Sequence, residues 1–204
     1  MDELRKALVD IGSIRRQIAH ATEFRGYGPA TLAGTAAFAI VAALFQERFM
    51  PDPTNHLALY LAIWVWTAAA SAALIGAQMR ARSRRIHSGL ADEMIRMAVE
   101  QFLPSAVVGA LVTVVLVRYV PQGTWMIPGL WQITSGLGVF SSSRFLPRQI
   151  VAAGAWYVLA GLFCIALGNA RALSPWAMGI PYSVGQSLVA GILLFCSERD
   201  GSET

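Results

Sequence analysis

The side chains that could do chemistry inside the apolar parts of this chain are all uncharged. Trp64, Thr67, Gln132, Ser135, Tyr182, Ser183 and Gln186, with Trp66, Ser71, Thr134 and Ser187 beside them, sit in long runs free of Asp, Glu, Lys and Arg. Amides, hydroxyls and indole N–H groups recognise partners through hydrogen bonds, whereas proton relays and cation sites use carboxylates, lysines or histidines. Two readings follow for the named residues: they join helix to helix, or they line a small uncharged cavity. Pro128 and Pro181 precede Gln132 and Gln186 by four and five residues. A proline inside a helix frees a backbone carbonyl and bends the helix, a geometry suited to lining a site.

A second set is cationic and lies between the runs: Arg25, Arg84, Arg85, Arg144 and Arg148. These are candidates for anions or lipid headgroups, and with Glu23, His87, Asp92, Glu93 and Glu100 they form one charged rim. The rim reads either as a collar facing lipid headgroups or as the acids and bases of a lipid-modifying centre. No HExxH, GxSxG, GxxxxGK[ST] or GxGxxG motif occurs, and no Cys/His cluster has metal spacing. No catalytic residue, metal ligand or cofactor is therefore expected. Cys164 and Cys196 fall at opposite ends of neighbouring runs, too far apart for a disulfide.

The elements that must hold these residues follow from the length of the runs. Charge-free stretches cover residues 30–46, 57–78, 104–117, 124–143, 149–170 and 174–197. Five of the six approach or exceed the roughly 17–25 residues that a helix needs to cross hydrocarbon. The third is short and reaches a workable length only by recruiting Phe102 and Leu103 and letting Arg118 snorkel. With 55% hydrophobic and 14% charged residues, and a mean hydropathy of +0.52, an ordinary water-soluble domain is excluded. The hydrophobicity is continuous and does not alternate, which excludes a membrane barrel.

The predicted fold is all-α, a polytopic protein with six transmembrane helices over about 30–46, 57–78, 102–120, 124–143, 149–170 and 174–197. An amphipathic interfacial helix and lead-in occupy 1–28, with Leu4, Leu8, Ile11, Ile14 and Ile18 on one side and Arg5, Lys6, Asp10, Arg16 and Gln17 on the other. A second amphipathic segment, 88–103, leads into the third span, and 198–204 form a tail.

Orientation follows from the 16 basic residues. With the N-terminus in the cytoplasm, Arg5, Lys6, Arg15, Arg16, Arg25, Arg80, Arg82, Arg84, Arg85, Arg96, Arg144, Arg148 and Arg199 lie inside, and only Arg48, Arg118 and Arg171 lie outside. Both termini are expected in the cytoplasm. The net charge of +4 then belongs to a collar that attracts anionic inner-leaflet lipid, so nucleic acid is not an expected partner.

Glycines recur every seven residues at Gly154, Gly161 and Gly168, and again at Gly129 and Gly136. Such stripes let backbones approach closely, either within the chain or between copies in a homo-oligomer. A faint threefold echo links 23–34, 100–109 and 145–154, each with a proline followed by a glycine.

The segments TEFRGYGPA (22–30), RSRRIHSGLADEMI (82–95), GLWQI (129–133), SRFLPR (143–148) and LSPWAMG (173–179) resemble those of an uncharacterised family of bacterial six-helix integral membrane proteins. That resemblance implies a bacterial inner membrane and assigns no activity. The leading functional expectation is a non-enzymatic protein that binds or passes a small uncharged or lipidic molecule between its helices. The alternatives are a membrane-anchored sensory protein docking a soluble cytoplasmic partner, and a lipid-modifying enzyme at the inner rim.

Overall fold

A computed structural model describes residues 29–86, 89–143, 148–168 and 170–202. The expected interfacial helix, Arg25 and Arg144 lie outside them. Among the described residues the chain is helical without strands, with six α-helices: α1 (Pro29–Phe49), α2 (Leu57–Ile86), α3 (Gly89–Tyr119), α4 (Ile127–Ser142), α5 (Val151–Ala166) and α6 (Pro175–Ser202). Short 3₁₀ turns, Pro121–Met126, Arg148–Ile150 and Ala170–Leu173, lead into the last three.

The turns that separate the helices have local causes. Asp52 organises the α1–α2 connection by accepting the backbone N–H groups of Thr54 (3.1 Å) and Asn55 (3.3 Å), as short acidic side chains do in Asx turns. Helix α5 stops at Gly168, whose φ of +68° lies in the left-handed region open to glycine, while Leu167 N–H and Gly168 N–H close on Phe163 and Ile165 carbonyls. Gly168 therefore ends a helix and is not part of a packing stripe.

Five stretches are long and apolar enough to cross a membrane: Ala30–Phe49, Leu57–Ala81, Val99–Tyr119, Arg148–Ala166 and Pro175–Phe195. The third run reaches this length as expected, and the fourth is the one missing from the set. Helix α3 is continuous for 31 residues and takes in residues 89–103 without a break at Pro104, whereas α4 and α5 have 16 residues each, and only α5, with the Arg148–Ile150 turn before it, makes a stretch long and apolar enough to cross. At 1.5 Å per residue α4 is about 24 Å long, less than the roughly 30 Å of hydrocarbon. The difference arises at Pro121–Met126, which is charge-free in sequence but tightens into a 3₁₀ turn, with Pro121 at its start. Likewise α6 continues through Ser202, so the expected tail is largely helix.

The helices pack in a ring. Helix α5 lies against α4 most extensively and α1 against α6 nearly as much; α3 rests on α4, α2 on α1 and α6 on α5, while α2 and α3 barely touch. Glycine explains the closest seam. A Cβ added at Gly161 would stand 2.5 Å from the Gly129 carbonyl oxygen, and one at Gly136 would stand 2.8 Å from that of Gly154. The two glycine stripes thus face each other inside one chain, backbone on backbone.

Candidate functional site

Where α2 and α3 stand apart, a cavity of about 530 Å³ opens. Helix α2 supplies Trp64, Val65, Thr67, Ala68, Ser71, Ala72 and Ile75, and α3 supplies Phe102, Ser105, Ala106, Gly109, Ala110 and Thr113. Trp131, Thr134 and Ser135 of α4, with Met178, Tyr182 and Gln186 of α6, form the back wall, and Thr35 and Ala39 of α1 complete it. The volume is in the usual range for small-molecule sites.

Exposure divides the lining in two. The exposed members are Val65, Ala68 and Ala72 on one side and Phe102, Ala106 and Ala110 on the other, all apolar and spaced by three or four residues so that each trio shares one helix face. They form the lips of the opening. The hydroxyls, the indoles of Trp64 and Trp131, and the Gln186 amide all belong to half-buried or buried residues further in. Among the described residues none of the lining is charged.

Five of the seven uncharged candidates, Trp64, Thr67, Ser135, Tyr182 and Gln186, meet at this cavity. Ser135 and Tyr182 share a hydrogen bond of 2.9 Å, and the Tyr182 ring leans on that of Tyr157 with centroids 5.3 Å apart. Ser183 instead donates to Ile180 of its own helix at 3.1 Å. Gln132 is fully buried behind the cavity, where its Nε2 donates to the Ala177 carbonyl at 2.7 Å. The cause is Pro181: with no N–H, it cannot pair the carbonyl four residues earlier, which is Ala177. Gln132 therefore caps an acceptor opened by the α6 proline, while its own Oε1 is buried without a partner.

Of the cationic candidates, Arg148 is exposed in the turn before α5, and Arg84 and Arg85 fall near the end of α2. Arg148 does not line the cavity.

Sequence reasoning missed the contribution of α3. Ser105, Gly109 and Thr113 recur at intervals of four, which puts them on one helix face, and that spacing was the available signal. It also missed Gln46, which is fully buried near the end of α1. Its Oε1 accepts the Trp64 indole N–H at 2.9 Å and its Nε2 donates to the Leu173 carbonyl at 3.0 Å, tying α1 and α2 to the turn before α6.

Compared with known proteins, the chain matches no family model, no curated protein and no solved structure.

Proposed function

We propose that this chain is a multi-pass protein of the bacterial inner membrane that binds a small neutral or lipidic molecule in the cavity between α2 and α3, without catalysing a reaction on it. One observation carries the reading: the cavity has an apolar, laterally exposed mouth, a hydroxyl-rich interior and, among the described residues, no charged lining group. An ion entering such a space would lose its hydration without gaining a counter-charge, a cost of several kcal/mol or more. A neutral amphiphile loses little, and lips of Val, Ala and Phe suit access from surrounding acyl chains.

The experiment is native mass spectrometry of the protein released from lipid nanodiscs, doped in turn with diacylglycerol and with phosphatidylglycerol. Diacylglycerol should bind with a defined stoichiometry that Ala106→Phe reduces, because Ala106 lies in the mouth. Equal retention of the charged lipid, or no effect of the substitution, would remove the cavity from the function.

The topology has its own test, because α4 is not among the five stretches long and apolar enough to cross. If all six helices cross, reporter fusions after Thr204 and within residues 51–56 report opposite sides, cytoplasm and periplasm. If α4 does not cross, both report the same side.

A further inference from the structure

The interior of the cavity is polar, but most of its protons are already in use. Four threonines line it, and each hydroxyl donates along its own helix: Thr35 to Leu32, Thr67 to Ile63 and Thr113 to Gly109, all at 2.8 Å, and Thr134 to Trp131 at 3.1 Å. Both indole N–H groups are committed as well, Trp64 to Gln46 and Trp131 to the Thr113 hydroxyl. The Ser135 and Tyr182 hydroxyls spend one of their two protons on each other.

A hydroxyl has one proton and two lone pairs, so a threonine that donates to its own backbone is left with acceptor capacity. Six potential donors on the wall are therefore closed, while lone pairs on the same threonines stay open. Besides the Ser135 and Tyr182 pair, the other donors of the described lining belong to Ser71, Ser105 and Gln186, whose amide also reaches the Tyr157 hydroxyl. The balance of the wall is towards accepting.

We infer that the cavity selects neutral amphiphiles that carry a hydrogen-bond donor, a hydroxyl or amide N–H on an apolar body, over acceptor-only molecules of the same size such as ethers, ketones and esters. This deepens the binding role proposed above and rests on it. An acceptor-only molecule can pair only with the few donors of Ser71, Ser105 and Gln186 and leaves the threonine oxygens without a proton in a poorly hydrated space, where an unmade hydrogen bond is costly. A hydroxyl gives its proton to a threonine oxygen and takes one from Ser71, Ser105 or Gln186. Sites built on hydrogen bonds discriminate in this way against analogues that lack one.

Trp64 and Trp131 line the cavity, so bromine quenching of tryptophan fluorescence reads its occupancy. Three probes would be titrated into nanodiscs holding the full chain: a brominated long-chain alcohol, its methyl ether and the matching methyl ketone. Quenching through bulk lipid is unsaturable, and Ala106→Phe supplies that baseline. The alcohol should half-saturate at about a tenfold lower mole fraction than either analogue, as one net hydrogen bond implies. Thr67→Val deletes one acceptor at nearly constant shape, and should narrow the alcohol's advantage while leaving ether quenching in place. Equal or tighter binding of the ether or ketone to the wild-type protein overturns the donor rule and leaves the binding role standing. If no probe shows a saturable component that Ala106→Phe removes, the binding role itself fails.

Discussion

Two parts of this ring use small residues to opposite ends. Across the α4–α5 seam glycine faces glycine, and a single added methyl would strike a carbonyl oxygen. Across the α2–α3 seam, Ala68 and Ala72 face Ala106 and Ala110 over open space, and a Cβ added at Gly76 would meet nothing within 4 Å. Burial follows the same division: 39% of the apolar stretch of α1 and 33% of that of α5 are buried, against 11% for α2 and 6% for α3. Small side chains thus do not by themselves close a helix pair. They close it where both backbones are bare at the same depth, and elsewhere they leave room.

Substitutions can break or sharpen this contrast. The largest effect is expected from Gly161→Val, which places a branched side chain against Gly129 and Ile133 and must separate α4 from α5. It should cost about 3 kcal/mol, read as a lowered melting temperature in mild detergent. A variant that melts like the wild type would mean that the seam is not held by close backbone approach.

Gln132→Leu should come next. It removes the amide that caps the Ala177 carbonyl, but also removes the unpartnered Oε1, so the net loss should be about 1 kcal/mol. Probe quenching at the cavity should persist. The reverse pattern, full stability with quenching lost, would put Gln132 on the binding side of the molecule. Gln186→Leu is its counterpart: about 0.5 kcal/mol or less in stability, with weakened binding of the brominated alcohol, because its amide lines the cavity.

An effect of opposite sign belongs to Gly76→Ala, on the open side. With nothing nearby to resist the methyl, replacing a helical glycine should stabilise by about 0.5–1 kcal/mol in the same melting assay. Destabilisation there would show that α2 and α3 pack more closely than the open seam implies.

Much of the helical layout was legible because hydropathy and charge act residue by residue. The six charge-free runs each correspond to a helix, and the polar residues of α2, α4 and α6 do converge. The weak point was length. Counting charges could not distinguish Pro121–Met126 from helix, since both are uncharged, and so the fourth helix was expected to be longer than its 16 residues. The partner of Gln132 was illegible for another reason. That a buried amide needs a partner is general, but the choice of Ala177, 45 residues away, exists only once α4 and α6 lie side by side. Gln46 is the last residue of the first charge-free run, and only the Ala170–Leu173 turn folding over it makes it interior.

That same amide bears on how the protein is made. Helices α1 and α2 are synthesised before α6, and Trp64 can engage Gln46 as soon as the hairpin they form has closed. The other half of the amide must wait for Leu173, 127 residues later, and α1 must wait equally long for its main packing surface on α6. Until then a polar group stands exposed in the apolar stretch of α1 with one hydrogen bond unmade. A chain truncated before α6 would therefore leave Gln46 with one hydrogen bond unmade and α1 without its main packing surface.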